Sequence, residues 1–161
     1  MKKNFKPKKI IIDIDGVMTS GHMIYTSKGK VGKIFGPDDH DALKLLEKYC
    51  SIEFISSDKI GFSISKKRID SMNFKISHVP THKKENWFKK NNYLKNTIYM
   101  GDGFFDHNIF KIVGFSITFK DSLQHVKKNA KLVINRSGSN RAVAEACIYI
   151  LNKFFNVKEI K

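Results

Sequence analysis

One stretch near the N-terminus indicates the type of fold: Lys9-Ile10-Ile11-Ile12-Asp13-Ile14-Asp15-Gly16-Val17-Met18-Thr19. It begins as an apolar run, which is typical of a buried strand, and it ends in two carboxylates and a glycine. Open α/β sheets bind their ligands at the carboxyl ends of parallel strands. Two acidic side chains one residue apart at such an end favour a divalent cation beside them. The stretch therefore predicts a site for phosphoryl transfer.

The rest of the chain alternates apolar runs with stretches of helical period. Strands separated by helices imply right-handed crossovers and a parallel sheet covered on both faces. We therefore predict one α/β domain over residues 1–161, a three-layer Rossmann-like parallel sheet with a β-hairpin insertion and no cap domain. The predicted strands are 9–14, 52–55, 76–79, 97–100, 115–118 and 132–134, with hairpin strands 22–26 and 31–35 and helices 37–49, 60–72, 84–93, 104–112, 121–128 and 140–155.

Composition narrows the classes of partner. The 161 residues are 41% hydrophobic, as in folded proteins, and carry a net charge of +15. The lysines are scattered and there is no arginine-rich run, so the pattern argues against nucleic-acid binding as the main role. The same positive field would attract an anionic substrate.

The sequence also predicts the compartment. No apolar run approaches the roughly 20 residues that span a bilayer, so we expect no membrane partner. The basic N-terminus resembles a signal peptide, but Asp13 interrupts the apolar stretch after three residues. Cys50 and Cys147 lie in apolar stretches without a Cys-x-x-Cys spacing, which indicates reduced core thiols. We expect a cytoplasmic location.

Polar residues follow four predicted strands. Asp13 and Asp15 follow the first strand, Ser56 follows the second, and Lys84 opens a helix after the short strand near residue 78. Gly101-Asp102-Gly103-Phe104-Phe105-Asp106 follows the strand that ends at Met100. Because the carboxyl ends of parallel strands share one edge of the sheet, these side chains should converge.

Each of these residues has a chemical use there. A carboxylate can attack phosphorus and form an acyl phosphate, and Asp13, first after the strand, is the predicted nucleophile. Asp15 would protonate the leaving oxygen and later accept a proton from water. A phosphate monoester is anionic, so we expect Mg²⁺ to bind the Asp13 carboxylate, the Asp15 main-chain oxygen and Asp102. Ser56 and Lys84 would hold the phosphoryl group.

Other polar residues support the site or have two interpretations. Gly16 lets the backbone approach closely, and Thr19 completes the first motif. Asp106 either caps the helix after residue 104 or orients a metal-bound water. The helix predicted at 37–49 has three acidic residues near its start, Asp38, Asp39 and Asp41. Acidic side chains suit the first turn of a helix. For Asp39 and Asp41 the alternative is contact with a substrate hydroxyl.

The motif Asp13-Ile14-Asp15-Gly16-Val17-Met18-Thr19, followed in order by Ser56, Lys84 and Gly101-Asp102…Asp106, resembles the haloacid dehalogenase superfamily of phosphatases over nearly the whole chain. The hairpin after the first motif and Gly138-Ser139-Asn140-Arg141-Ala142-Val143-Ala144-Glu145 resemble the 3-deoxy-D-manno-octulosonate 8-phosphate phosphatase family and its nonulosonate relatives. The resemblance implies Mg²⁺, a homotetramer, a phosphorylated eight- or nine-carbon acidic sugar as substrate and a role in lipopolysaccharide biosynthesis.

The resemblance also assigns residues and marks departures. It favours Lys84 over Lys83, because the family lysine opens this helix, and it implies that Arg141 approaches a neighbouring site. The segment after the serine commonly reads Gly-Arg in the octulosonate phosphatases, whereas here it is Ser57-Asp58-Lys59, and the late glycine pair is Gly138-Ser139. These departures leave the phosphoryl-transfer residues intact and bear on which sugar is bound.

The absence of a cap predicts assembly. An open site would leave a small sugar poorly enclosed, and a neighbouring subunit can supply the missing wall. We expect an oligomer of four subunits whose contact buries apolar hairpin side chains. These are Met23, Ile24, Tyr25, Val31, Ile34 and Phe35.

Three classes of function fit a parallel sheet with these residues. The first is a Mg²⁺-dependent sugar phosphatase. The second is a phospho-accepting signalling receiver, which places its aspartate after a middle strand, whereas Asp13 follows the first. The third is a catalytically silent domain, which need not retain every catalytic residue type. The sequence favours the phosphatase.

Overall fold

A computed structural model describes residues 5–90 and 94–159. In these ranges six parallel strands form one sheet in the order β5-β4-β1-β6-β7-β8, and two antiparallel strands, β2 and β3, form a hairpin. The predicted α/β fold with a hairpin insertion is confirmed. The strands are β1 Lys9–Asp13, β2 Thr19–Thr26, β3 Gly29–Phe35, β4 Ser51–Ser56, β5 Lys75–His78, β6 Thr97–Met100, β7 Phe115–Phe119 and β8 Leu132–Ile134, and the helices are α1 Asp39–Leu46, α2 Phe62–Ser71, α3 Lys84–Lys89, α4 Asp106–Phe110, α5 Gln124–Lys127 and α6 Ala142–Phe155.

Strand β1 is buried on both faces of the sheet. Ile10 and Ile12 face a cluster with residues of α1, α2 and α6, whereas Ile11 faces a second cluster with residues of α3 and α4. Side chains alternate along a strand, so a strand covered on both sides needs an uninterrupted apolar run. The packing therefore explains why this stretch is apolar and why it lies at the centre of the sheet.

Several element boundaries differ from the predicted ones. The hairpin strands are longer, whereas the helices predicted at 37–49, 104–112 and 121–128 are shorter. Helix α1 begins only at Asp39 because Asp38 has a φ of 66°, outside the helical region. The helix predicted at 84–93 ends at Lys89, and its last three predicted residues lie outside the described ranges.

The hairpin is the only large insertion before Ser56 in the described chain. Between Asp15 and Ser56 lie the hairpin and α1, and between Ser56 and Lys84 lie α2, β5 and a short turn, so no cap domain is present in either segment. In the described part of the chain every helix falls short of the length and apolar content that a bilayer-spanning segment needs.

Most of the predicted contact residues of the hairpin are exposed. We call five of them the hairpin patch. Phe35 is half-buried and packs against the main core, so it is left out of this patch, and its part in a contact between subunits stays a prediction. The hairpin patch consists of Met23, Ile24, Tyr25, Val31 and Ile34, each about half exposed.

Candidate active site

The predicted site residues meet at the carboxyl edge of the sheet. Strand β1 lies between β4 and β6, so Asp13 at its end is flanked by Ser56 at the end of β4 and by Asp102 just after β6. Lys84 reaches the same edge from the first turn of α3. The topology thus brings together residues that are up to 89 positions apart in the sequence.

A buried hydrogen-bond network surrounds Asp13. The Lys84 ammonium donates to Asp13 Oδ2 at 2.7 Å, to Asp106 Oδ1 at 3.0 Å and to the Tyr99 hydroxyl at 3.2 Å. The Tyr99 hydroxyl donates to Asp106 Oδ2 at 2.9 Å. The main-chain N–H of Ile14 donates to Asp13 Oδ1 at 2.8 Å. Both oxygens of Asp13 are therefore held in place.

Asp102 completes a group of three carboxylates with Asp13 and Asp106. Each contributes an oxygen, and these oxygens lie within 4.8 Å of one another. Asp102 Oδ1 is buried and has no hydrogen-bond partner among the described residues. Because a buried carboxylate oxygen is costly without a partner, this atom is suited to bind a cation. The three carboxylates face one ammonium, so they exceed the local positive charge and fit a divalent ion.

The pKa values of this group reflect burial and charge. Burial raises the pKa of Asp102 to about 8, and the charges of Asp13 and Asp106 add to the rise. Burial also raises the pKa of Asp13, although Lys84 opposes the shift. Burial alone would lower the pKa of Lys84, but the carboxylates of Asp13 and Asp106 hold it above its ordinary value. Lys84 is therefore a fixed positive charge.

The side chain of Asp15 lies apart from the three-carboxylate group. Its Oδ2 accepts a hydrogen bond from the Ser56 hydroxyl at 3.0 Å, and its Oδ1 lies 2.6 Å from the Lys33 ammonium of the hairpin. Ser56 is thus occupied with Asp15 here rather than pointing freely at a ligand. Thr19 Oγ1 accepts from the Gly16 N–H at 3.2 Å, which stabilises the turn that carries Asp15.

The two candidate lysines differ in their position. Lys84 is buried beside Asp13, whereas Lys83 is exposed. Asp106 makes two kinds of contact, and the alternative that it orients a metal-bound water stays a prediction. Asp106 Oδ2 accepts from the Gly103 N–H at 2.9 Å in the turn before α4, and the same side chain faces Lys84. The catalytic roles of these residues remain predictions.

Two of the acidic residues at the start of α1 contact the beginning of α6 and the residue before it. Asp39 is buried, and its Oδ1 accepts from the Ala144 N–H at 2.8 Å, so it connects α1 to α6. Burial raises the pKa of Asp39 to about 6. Asp38 pairs with Arg141 on the surface, and the predicted approach of Arg141 to a neighbouring site stays a prediction.

Sequence reasoning missed two residues of the site. The sequence pattern places Tyr99 only within a strand, although a tyrosine next to the carboxyl end of a buried strand carries a hydroxyl that must find a partner. Lys33 is one of many lysines scattered along the sequence, and no local sequence signal places it beside Asp15. Only the folding of the hairpin back onto the sheet brings it there.

Comparison with known proteins identifies the family. A family model of haloacid dehalogenase-like hydrolases matches residues 24–147. A search of curated proteins found no match.

Solved structures resemble the chain closely in fold. The cobalt-bound deoxy-D-mannose-octulosonate 8-phosphate phosphatase of Haemophilus influenzae has a TM-score of 0.83 at 25% identity, covering 96% of this chain and 92% of that one. The 3-deoxy-D-manno-octulosonate 8-phosphate phosphatase of Moraxella catarrhalis, in complex with magnesium, phosphate and KDO, has a TM-score of 0.81 at 23% identity, covering 93% and 88%. The chain therefore belongs to the haloacid dehalogenase-like hydrolases, and the prediction that it is a phosphatase of this family is confirmed.

Proposed function

We propose that this phosphatase uses Mg²⁺ to hydrolyse the phosphate monoester of an acidic eight- or nine-carbon sugar, of the 3-deoxy-D-manno-octulosonate 8-phosphate type, through an aspartyl-phosphate intermediate. One observation carries the proposal. Asp13, Asp102 and Asp106 offer three oxygens within 4.8 Å of one another, next to the buried ammonium of Lys84. Transfer of a phosphoryl group needs this combination of a nucleophile, a cation site and a fixed positive charge.

In the first step a carboxylate oxygen of Asp13 bonds to phosphorus, and the bond from phosphorus to the sugar oxygen breaks. Asp15 gives its proton to the departing oxygen, so the sugar leaves as an alcohol. Lys84 lies 2.7 Å from Asp13 Oδ2 and offsets negative charge during the attack. In the second step Asp15 takes a proton from water, which attacks phosphorus and releases phosphate and free Asp13.

The residues fit a divalent ion. Asp13 and Asp102 would hold Mg²⁺ together with the Asp15 main-chain oxygen, and the unpartnered Oδ1 of Asp102 supports this assignment. When bound, the ion supplies a Lewis acid that polarises a phosphoryl oxygen and screens the repulsion between two anions. Asp106 lies against Lys84 and Tyr99 and keeps the ammonium oriented.

Metal binding can be measured without turnover. Mg²⁺ at about 100 times its dissociation constant should stabilise the folded protein by about 2.7 kcal/mol, which raises Tm by about 5–10 °C. Asp102→Asn should lose most of this shift, whereas Asp70→Asn on the exposed face of α2 should keep it. An equal shift in all three proteins would contradict the site.

Two observations support an acidic sugar phosphate as substrate. The structurally similar enzymes from H. influenzae and M. catarrhalis are octulosonate 8-phosphate phosphatases, and one of them was solved with KDO and phosphate. The net charge of +15 also favours an anionic substrate. The alternative is a nonulosonate 9-phosphate, which the departure at Asp58 keeps open.

The decisive experiment measures turnover of p-nitrophenyl phosphate with and without Mg²⁺. Wild type should turn over steadily with the ion, and Asp13→Asn should reduce kcat to background. Absence of turnover on any phosphomonoester would refute the proposal. A panel of octulosonate 8-phosphate, sialic-type 9-phosphates and hexose phosphates then identifies the sugar from kcat/KM.

The proposal includes a homotetramer built through the hairpin patch, a single domain and a cytoplasmic location. The exposure of the hairpin patch supports assembly, because five exposed apolar side chains on one hairpin would gain by burial in an interface. The two cysteines are free and buried, which suits a reducing compartment.

A further inference from the structure

Lys33 of the hairpin is almost completely buried beside the site. Its side chain is 1% exposed, and its ammonium lies 2.6 Å from Asp15 Oδ1, 2.9 Å from Asp58 Oδ2 and 2.9 Å from the Ser65 hydroxyl. An ammonium has three hydrogens to donate, and each has a partner here. All three N–H donors of Lys33 are therefore used within the protein, and none is left for a ligand.

Asp58 holds Lys33 from the other side. Asp58 Oδ2 also lies 2.6 Å from the ammonium of Lys30, whose side chain is 3% exposed, and Asp58 Oδ1 accepts from the Gly61 N–H at 3.0 Å. Burial alone would raise the pKa of Asp58, but the bonds from Lys30, Gly61 and Lys33 hold it well below its ordinary value. The ammonium groups of Lys30 and Lys33 thus form ion pairs with the carboxylates of Asp15 and Asp58. These ion pairs connect the hairpin to the edge of the sheet.

Both oxygens of Asp15 are therefore held, each by a residue of a different strand. Ser56 donates to Oδ2 from β4, and Lys33 contacts Oδ1 from β3. Without Lys33 the carboxylate of Asp15 would keep only its contact with Ser56. It could then rotate about its terminal bond, which is a soft torsion in aspartate. We propose that Lys33 is a positioning residue for Asp15, and that Asp58, shared with Lys30, fixes Lys33 in this role.

This inference rests on the proposed function, in which Asp15 transfers a proton to the departing oxygen as the bond from phosphorus to that oxygen breaks. A sugar alkoxide is a poor leaving group and needs that proton. The p-nitrophenolate ion is stable without it. Loss of Lys33 should therefore affect sugar phosphates much more than p-nitrophenyl phosphate, and a merely structural role would affect both equally.

The experiment compares kcat/KM for p-nitrophenyl phosphate with kcat/KM for the best sugar phosphate of the panel. Lys33→Met should lower the value for the sugar phosphate about 10- to 100-fold and that for p-nitrophenyl phosphate less than about threefold. Lys33→Arg, which keeps a charged donor, should recover much of the loss. Asp58→Asn should change the ratio in the same direction by a smaller factor. Lys28→Met, at the exposed tip of the hairpin, is the matched control and should leave both values unchanged.

A crystal structure of Lys33→Met supplies a second measurement, independent of activity. The Asp15 carboxylate should turn away from Ser56 or occupy two orientations. Equal losses on both substrates in Lys33→Met and Asp58→Asn, or an unmoved Asp15, would overturn the inference. A wild-type protein that turns over neither substrate would refute the proposed function instead, so the two failures are distinguishable.

Discussion

Gly16 lies directly against the carboxylate of Asp102, so closely that a Cβ at position 16 would overlap both carboxylate oxygens. Gly16 also has a φ of 84°, in the left-handed region that disfavours side chains. The turn after β1 and the loop after β6 therefore approach each other because one of them lacks a side chain.

Gly16→Ala should consequently damage the site as well as the fold. The positive φ costs about 1–2 kcal/mol, and the overlap must displace Asp102 or the turn that carries Asp15. We expect kcat/KM to fall at least about 100-fold, since displacements near 1 Å can have this effect. Gly29→Ala is the matched control, because Gly29 has a φ of 102° and open space around it. It should lose stability and keep activity, and a Gly16→Ala enzyme with normal kcat/KM would contradict the close approach.

Lys84 and Lys83 provide an adjacent pair for a test of the buried charge. Lys84→Met leaves the carboxylates of Asp13 and Asp106 without their ammonium. Removing one partner of a buried ion pair costs about 3–5 kcal/mol. We expect a lower urea midpoint in metal-free protein and a loss of about 100-fold or more in kcat. Lys83→Met removes an exposed lysine next in sequence and should change neither value by much. Similar effects of the two substitutions on the urea midpoint and kcat would contradict the role of the buried Lys84 ammonium in stability and catalysis.

The sequence predicts the strand ends well and the hairpin contacts poorly. Asp13, Ser56 and Asp102 follow directly from strand ends, since parallel strands place these ends on one edge, whereas the choice of Lys84 over Lys83 depends on the family resemblance. Lys33 follows from no local pattern. Its position depends on how the hairpin folds back over α2, and a register shift in the hairpin between Ile24 and Tyr25 helps to set which side chains face the sheet. Such long-range packing cannot be obtained from hydrophobic periodicity.

Asp39 predicts a pH dependence of stability. Its pKa is about 6 in the folded protein and near 3.8 in the unfolded chain, because burial disfavours the charged form. A raised carboxyl pKa means that the folded state binds more protons than the unfolded state between these values, so the free energy of unfolding falls as pH rises from about 4 to about 6. This fall in the free energy of unfolding amounts to about 2 kcal/mol.

Urea midpoints at pH 4, 5, 6 and 7 measure this effect. Asp39→Asn cannot titrate, and its Oδ1 can still accept from the Ala144 N–H. The difference in free energy of unfolding between wild type and Asp39→Asn should therefore shift by about 2 kcal/mol across the window in favour of the variant as pH rises. Asp41→Asn, an exposed position two residues further along α1, is the matched control. A pH-independent difference for Asp39→Asn would exclude a raised pKa.

The hairpin patch predicts the assembly state. Five apolar side chains about half exposed on one short hairpin form an unfavourable surface for a monomer, and burial of apolar area contributes about 25 cal/mol per Å². We expect wild type to behave as four subunits in size-exclusion chromatography with light scattering. Ile24→Glu should shift the population to smaller species, because each contact would then bury a carboxylate without a partner. Tyr25→Glu should act in the same way.

Val133→Glu is the matched control, because Val133 is also partly exposed but lies on β8 at the far edge of the sheet from β5. It should leave the molar mass unchanged. The dissociated Ile24→Glu protein should retain Mg²⁺ binding, since the three carboxylates come from one chain, and lose kcat/KM for the sugar phosphate, since an open site encloses a small substrate poorly. A wild-type monomer with full activity on a sugar phosphate would show that the site needs no wall from a second subunit.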